Sequence, residues 1–358
     1  MESEKKVGVQ PLNPLFCWFG GKRRIVKIVW AGLDGDFRCK VFTDPFCGSA
    51  AIILGSPRII PLEILNDKDA YVCNFLRAVK YAPRKVAEYM DWPTSEYDME
   101  ARHRYLCHYK HKFEFAEKIR NRPMFYSAKR AGWWAWGNNN WLGTGWCHGV
   151  WNPDEPKKSH GRGIRTRGGK RPLLANAARS FTQIPCIAHL GGGGVITSLP
   201  AVAKDDTSKS LEHILRVSAR LRLTKICGGD WKRVLHSPSL NVNKGLSAVF
   251  LDPPYGADRH ECYREEDFSV ANEVRVWAEE NGKNPLFRIA LCGYEGEHNA
   301  LEKMGWSKVG WKASGGFGNV HIGERRRKSQ INRCLERVWF SPACLHYLAQ
   351  QKSFEALR

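Results

Sequence analysis

No uninterrupted apolar run in the 358 residues approaches the ~18–20 that a bilayer crossing needs, so nothing in the sequence reads as a membrane span. The opening MESEKKVGVQ is charged and has no apolar core of the kind a secretory signal carries, which predicts a soluble chain in the cytoplasm. Paired cysteine spacing is missing as well. The 12 cysteines are scattered singly from Cys17 to Cys344, with no Cys-x-x-Cys and no clustered Cys/His ligand spacing, so reduced thiols and no metal are expected. No internal repeat is evident, and the glycine run at 191–194 reads as a local loop. Acid is scarce beside base: 36 Asp and Glu against 56 Lys and Arg leave a formal charge of +20. A surplus of that size attracts a polyanion, nucleic acid first and an anionic membrane surface second. Solubility alone needs far less charge.

What is present is an α/β alternation with a gap in it. Residues 14–22 read as a loop that runs into a basic amphipathic helix over 23–31. A short strand at 40–43 ends on Asp44-Pro45-Phe46-Cys47-Gly48-Ser49-Ala50-Ala51, and an apolar run at 59–65 closes on Asn66-Asp67-Lys68-Asp69. Strand, glycine turn, helix, strand and acidic tip open a doubly wound α/β domain. The pattern then breaks. Residues 71–109 look helical and charged, and 125–203 are rich in Trp, Gly, Arg and Lys without alternation. It returns with a helix at 209–221, strands at 224–227 and 248–251, a helix at 270–281, a strand at 286–291, a helix at 298–304, and strands near 306–311 and 334–340. The expected organisation is a catalytic domain in two parts, 14–75 and 206–345, an inserted and mainly helical or irregular domain at 76–205, and a tail at 346–358.

Asp252-Pro253-Pro254-Tyr255 follows the apolar strand 248–251, at the carboxyl end, where open α/β sheets bind ligands. Two consecutive prolines cannot continue a central strand, so the segment leaves the sheet as a stiff turn. That geometry suits an exocyclic amine on a base, whose lone pair is delocalised into the ring. The Asp252 carboxylate can accept one N–H and the Pro253 carbonyl the other, drawing the nitrogen toward tetrahedral geometry, while Tyr255 stacks on the base. A rigid turn with an incidental acid is the plainer reading.

The order of these segments resembles the Dam-like (D12 class) DNA N6-adenine methyltransferases. That family carries an aromatic-Gly-Gly-Lys segment, here Trp18-Phe19-Gly20-Gly21-Lys22, then an acidic-Pro-Phe-x-Gly turn, here 44–48. An acidic strand tip, here 66–69, an inserted target-recognition domain and Asp-Pro-Pro-Tyr, here 252–255, complete the order, and the resemblance spans most of 16–340. It implies a Rossmann-like sheet that binds S-adenosyl-L-methionine. The methionine part would approach the turn Asp44, Pro45, Phe46, Cys47, Gly48 and Ser49; Asp67 would accept the ribose hydroxyls; Asp230 and Trp231 would meet the adenine. Trp18, Gly20, Gly21 and Lys22 would close the site from the amino-terminal side. Single motifs of this kind are also ordinary strand-to-helix caps, core tryptophans or surface lysines. Where the family has Gly-x-Gly, this chain has Gly48-Ser49-Ala50, which adds a methyl to a close-packed turn, and Asp44 is one carbon shorter than the usual Glu.

Between residues 133 and 151 stand Trp133, Trp134, Trp136, Trp141, Trp146 and Trp151, interleaved with Asn138, Asn139 and Asn140. Lys129 and Arg130 precede them. Lys157, Lys158, Arg162, Arg165, Arg167, Lys170 and Arg171 follow with no acid among them, and Arg325, Arg326 and Arg327 form a second basic run. Basic side chains neutralise phosphates and Asn or Arg can read base edges, so these are the candidate contacts to double-stranded DNA. The tryptophans themselves suit a small hydrophobic core better than six stacking platforms. The expected activity is methyl transfer to the N6 of an adenine flipped out of duplex DNA, by a monomer or homodimer, with or without a partner restriction enzyme. An inactive methylase-fold regulator, cytosine-N4 methylation and RNA methylation are the alternatives.

Overall fold

A computed structural model describes residues 9–18, 20–92, 95–140, 146–147, 149–150, 204–236, 245–254, 266–311 and 335–344. In chain order they form α1 (Val26–Asp34, entered through the 3-10 turn Arg23–Ile25), β1 (Val41–Asp44), α2 (Ala51–Leu54), β2 (Leu62–Asp67), α3 (Ala70–Tyr81), α4 (Pro83–Met90), α5 (Glu96–Cys107), α6 (Tyr109–Asn121) and α7 (Ala128–Asn140). Then follow α8 (Lys204–Leu221), β3 (Thr224–Gly228), α9 (Lys232–Leu235), β4 (Ser247–Leu251), α10 (Glu266–Asn281), β5 (Phe287–Tyr294), α11 (Asn299–Glu302), β6 (Ser307–Gly310) and β7 (Glu336–Phe340). Among these residues no helix is long and apolar enough to cross a membrane.

Two compact units emerge, one drawn from 1–12, 22–68 and 223–358, the other from 13–21 and 69–222. The first is a mixed α/β unit whose seven-stranded sheet has the order β3-β2-β1-β4-β5-β7-β6. Five strands run parallel, with Asp44 opposite Leu65, Thr43 opposite Val249 and Leu251 opposite Leu291; β7 is antiparallel to β5 and β6. The fold is consistent with a Rossmann-like methyltransferase. Every residue of β4 and β5 is buried, which explains why those strands read as continuous apolar runs rather than as alternations. Val249, Leu251, Trp231, Val274, Trp277, Ile289, Leu291 and Trp339 pack into one core on this sheet.

The second unit is helical. Residues 128–140, within the stretch expected to be helical or irregular, form α7, whose apolar middle, 131–137, is buried apart from the partly exposed Trp133. Close approach decides its sequence: a Cβ on Gly132 would lie 2.4 Å from Tyr89, and one on Gly137 only 1.9 Å from the Trp146 ring. Trp134, Trp136 and Trp146 are core residues, while Trp141 and Trp151 lie outside the described residues. The unit's limits differ from the expected insertion at 76–205. Residues 69–75 and 206–222 join it because α3 and α8 pack on each other and on α4, with the Ser218 hydroxyl donating to the Lys80 carbonyl. Residues 13–21 join it through Phe16, whose ring lies 4.8 Å from Trp134.

Candidate active site

Parallel strands β3, β2, β1 and β4 are neighbours, so their carboxyl ends open on one edge of the sheet. Asp44 closes β1, Asp67 closes β2, Asp230 follows β3 and Asp252 follows β4. This brings four acids from well-separated parts of the sequence to the same edge.

Lys22 holds this edge together. Its side chain is buried, and its Nζ lies 2.9 Å from Asp252 Oδ1 and 3.8 Å from Glu336 Oε2. Burial alone opposes the ammonium, but Asp252 and Glu336 outweigh it and hold its pKa above the usual lysine value. Asp44 is buried and pushed well above the carboxylate range, first by desolvation and then by the charge of Asp252; the Phe46 N–H it accepts at 3.2 Å and Lys22 work the other way. Cys292 on β5 is likewise pushed well up, by burial and then by Asp252, and stays a neutral thiol. Two residues that sequence reasoning passed over therefore matter, Glu336 and Cys292. Each stands in a strand whose local pattern shows nothing of its partner, Lys22 some 300 positions from Glu336 and Asp252 some 40 from Cys292.

The turn after β1 is fastened from β2. Gly48 donates to Asp67 Oδ2 at 2.9 Å, Cys47 N donates to the Asn66 carbonyl, and Asn66 Nδ2 donates to the carbonyls of Pro45 and Gly229, both at 3.0 Å. Asn66 thus ties three strand ends. Gly48 has φ 46°, and Ala50, fully buried, has φ 57° and ψ 28°, a left-handed conformation that costs a side-chain-bearing residue roughly 1–2 kcal/mol. Pro45, Cys47 and Ser49 are buried beside Phe46, which is partly exposed. Pro253 is buried and Pro254 partly so; Tyr255 lies outside the described residues.

Several of the expected site residues also have partners within the fold. Trp231 is 4 % exposed and belongs to the sheet core, so its ring has little face to offer an adenine; Phe46, 6.2 Å away, is the more accessible aromatic. The Asp230 carboxylate accepts the Lys232 N–H at 2.8 Å as a turn cap. Trp18 packs on Phe16 and Trp134 in the helical unit, and Gly20 (φ 74°) and Gly21 turn the chain there, Gly21 N donating to the Trp18 carbonyl.

The three asparagines are engaged internally. Asn138 Nδ2 donates to the Trp134 carbonyl and Asn140 Nδ2 to that of Trp136, while Asn139 accepts from Cys17 N and donates to the Leu15 carbonyl. These bonds brace α7 in the chain as it stands. Arg130 donates to the His111 carbonyl and lies over the Phe115 ring at 4.6 Å, also a bracing position. Lys129 is exposed, over the Trp133 face at 4.5 Å. Lys157, Lys158, Arg162, Arg165, Arg167, Lys170, Arg171, Arg325, Arg326 and Arg327 lie outside the described residues.

Two carboxylates on one buried lysine, beside a third acid whose ionisation burial opposes, suit a ligand that brings positive charge and hydrogen-bond donors. No curated protein matches the chain. Residues 18–130, roughly a third of the chain and spanning the glycine turn and the acidic tip of β2, match the family model of the D12 class N6 adenine-specific DNA methyltransferases, the family that the ordered motifs resemble.

Proposed function

We propose that this protein transfers the methyl group of S-adenosyl-L-methionine to the N6 of an adenine flipped out of duplex DNA. The family match supports DNA adenine methylation in general. The observation that carries the finer reading is the Asp252 carboxylate at the mouth of β4, held 2.9 Å from the buried Lys22. The cofactor supplies a methyl group already activated on a sulfonium, and the acidic edge suits its positive charge. The protein's part is alignment and electrostatics. Lys22 fixes the Asp252 carboxylate in orientation; Asp252 accepts one N6–H and the Pro253 carbonyl the other, so the lone pair turns away from the ring. Asp252 is then the nearest acceptor for the proton that N6 releases. Asp67, bonded to the glycine turn, accepts the ribose hydroxyls in this reading, and Tyr255 stacks on the base.

In this reading Lys129 and the basic runs at 157–171 and 325–327 neutralise phosphates, and the site lies in a cytoplasmic protein with double-stranded DNA as its partner. Asp252→Ala should lower transfer of labelled methyl from the cofactor to duplex DNA by roughly 10³-fold, the order seen when a site loses a group aimed at the reacting charge. DNA affinity should stay largely intact. Methylation at near wild-type rate by that variant would overturn the assignment. Nucleoside analysis of the product separates N6-methyladenine from N4-methylcytosine, and an absence of transfer by the wild-type chain would leave a DNA-binding regulator. Affinity should also fall with salt at a log–log slope of about −0.9 per phosphate contacted; a flat response would exclude the basic runs from binding.

A further inference from the structure

The helical unit contains a second chemical cluster, remote in kind from methyl transfer. His103 and Cys107 stand four residues apart on α5, which places them on one face a turn apart. Cys147, beyond α7 in the chain, comes to the same place. One donor atom from each of the three lies within 4.8 Å of the others, and Cys107 Sγ is 3.9 Å from both ring nitrogens of His103. All three are buried, at 3 %, 0 % and 7 % exposure.

We propose that His103, Cys107 and Cys147 bind a zinc ion that staples α5 to the segment at 146–150. A nitrogen and two sulfurs are the donor set zinc selects over magnesium or calcium, whose ligands are oxygens. Bond lengths of about 2.0–2.3 Å in a tetrahedron set donors roughly 3.5–3.8 Å apart, so the observed cluster needs only a small contraction. Two buried thiolates would be costly alone and are stabilised by a dication. Three protein donors occupy three corners, and water or a further donor completes the fourth.

The surroundings are shaped for this. Cys147 is held in the left-handed region at φ 56°, a strain of roughly 1–2 kcal/mol that persists only where the fold dictates it. Its N–H points at His103 Nδ1 at 3.3 Å, which makes Nδ1 the ring nitrogen with the free lone pair and the one zinc would take over from this long bond. The Lys112 ammonium donates to the carbonyls of Cys147 and Gly149, at 3.3 and 2.9 Å, pinning the backbone on both sides of residue 148. Trp146 covers His103 at 5.2 Å between ring centroids and donates to the Trp134 carbonyl at 2.9 Å. The sequence showed no clustered ligand spacing because the third donor is 40 positions beyond Cys107 in the chain.

The test is the metal content of the full-length chain, purified from zinc-supplemented cells without chelator and desalted. One zinc per chain is expected for the wild type and for Cys17→Ser, an exposed cysteine outside the cluster; zinc should fall to background in Cys107→Ser and in Cys107→Ser/Cys147→Ser. A zinc-free wild type, zinc retained by the double variant, or an intramolecular Cys107–Cys147 disulfide in the chain as isolated would each overturn the proposal. Cobalt(II) added to chelator-treated wild-type chain needs no variant. Thiolate-to-cobalt charge-transfer absorption in the near ultraviolet is expected, and only the weak bands of oxygen-bound cobalt would overturn the site.

Discussion

The two edges of the same sheet carry similar numbers of charged groups and use them in opposite ways. At the amino-terminal edge the buried acids are matched. Asp34 accepts from Arg58 at 2.7 and 3.0 Å and from Cys39 N at 2.9 Å; Asp36 takes both terminal nitrogens of Arg288 at 2.7 Å; Glu63 accepts from Ile60 N and the Thr224 hydroxyl, both at 2.9 Å. At the carboxyl edge burial and the charges of Asp252 and Asp67 raise the cost of ionising Asp44, and Lys22, gripped by Asp252, only partly offsets them. Buried charge with a full set of partners holds a fold together, whereas buried like charge is kept where a ligand or a reaction relieves it.

The comparison breaks most sharply in a pair of matched substitutions. Asp34→Asn removes the charge that a forked guanidinium grips and should cost roughly 3–5 kcal/mol of stability, read as the shift in a urea unfolding midpoint. Methyl transfer per folded molecule should stay unchanged. Asp44→Asn removes a carboxylate that burial and Asp252 already disfavour, so stability at neutral pH should rise while transfer falls. If both variants lose stability alike, the two edges do not differ in the way the geometry indicates.

A histidine just past β5 gives the next largest effect, and its sign follows from the direction of the shift. His298 is buried with its ring 5.0 Å from that of Trp339, and burial lowers its pKa from the usual 6.5 to about 4. The folded chain therefore refuses a proton that the unfolded chain accepts. Stability is complete above about pH 6.5 and declines as pH falls toward about 4, by up to about 3 kcal/mol. Unfolding midpoints at pH 7 and 4.5 should differ accordingly, and His298→Gln should flatten the difference. An equally steep decline in that variant would place the titration elsewhere.

Much of this was legible in the sequence, for reasons that can be located. β4 announced itself because a parallel strand covered on both faces is apolar throughout, and the tetrapeptide that leaves it could only be a turn. The acids of the carboxyl edge were each visible at, or just past, the end of a strand. What stayed hidden is pairing at long range: Glu336 with Lys22, Asn66 with Gly229, and Cys147 with His103 and Cys107 are separated by scores to hundreds of positions. The bonds of Asn138 and Asn140 were hidden for a related reason: side chains that turn back to the carbonyls of their own helix leave no mark in composition.

The smallest effect tests the one place where this chain departs from the glycine pattern its turn resembles. Ala50 sits at φ 57° with its methyl fully buried, at the entry to α2 and two residues beyond Gly48, itself at φ 46°. Glycine adopts that backbone freely, so Ala50→Gly relieves roughly 1–2 kcal/mol of local strain. Greater freedom of the unfolded chain and the loss of a buried methyl act the other way, each by roughly 0.5–1 kcal/mol. The net change in unfolding midpoint should then be close to zero, well below that of Asp34→Asn. The cofactor should respond more than the fold, because a turn free of the methyl admits closer backbone approach: KM for S-adenosyl-L-methionine should drop while kcat holds. A clear loss of stability with KM unchanged would show that the Ala50 methyl is a packing element of the sheet edge and that the turn does not limit cofactor binding.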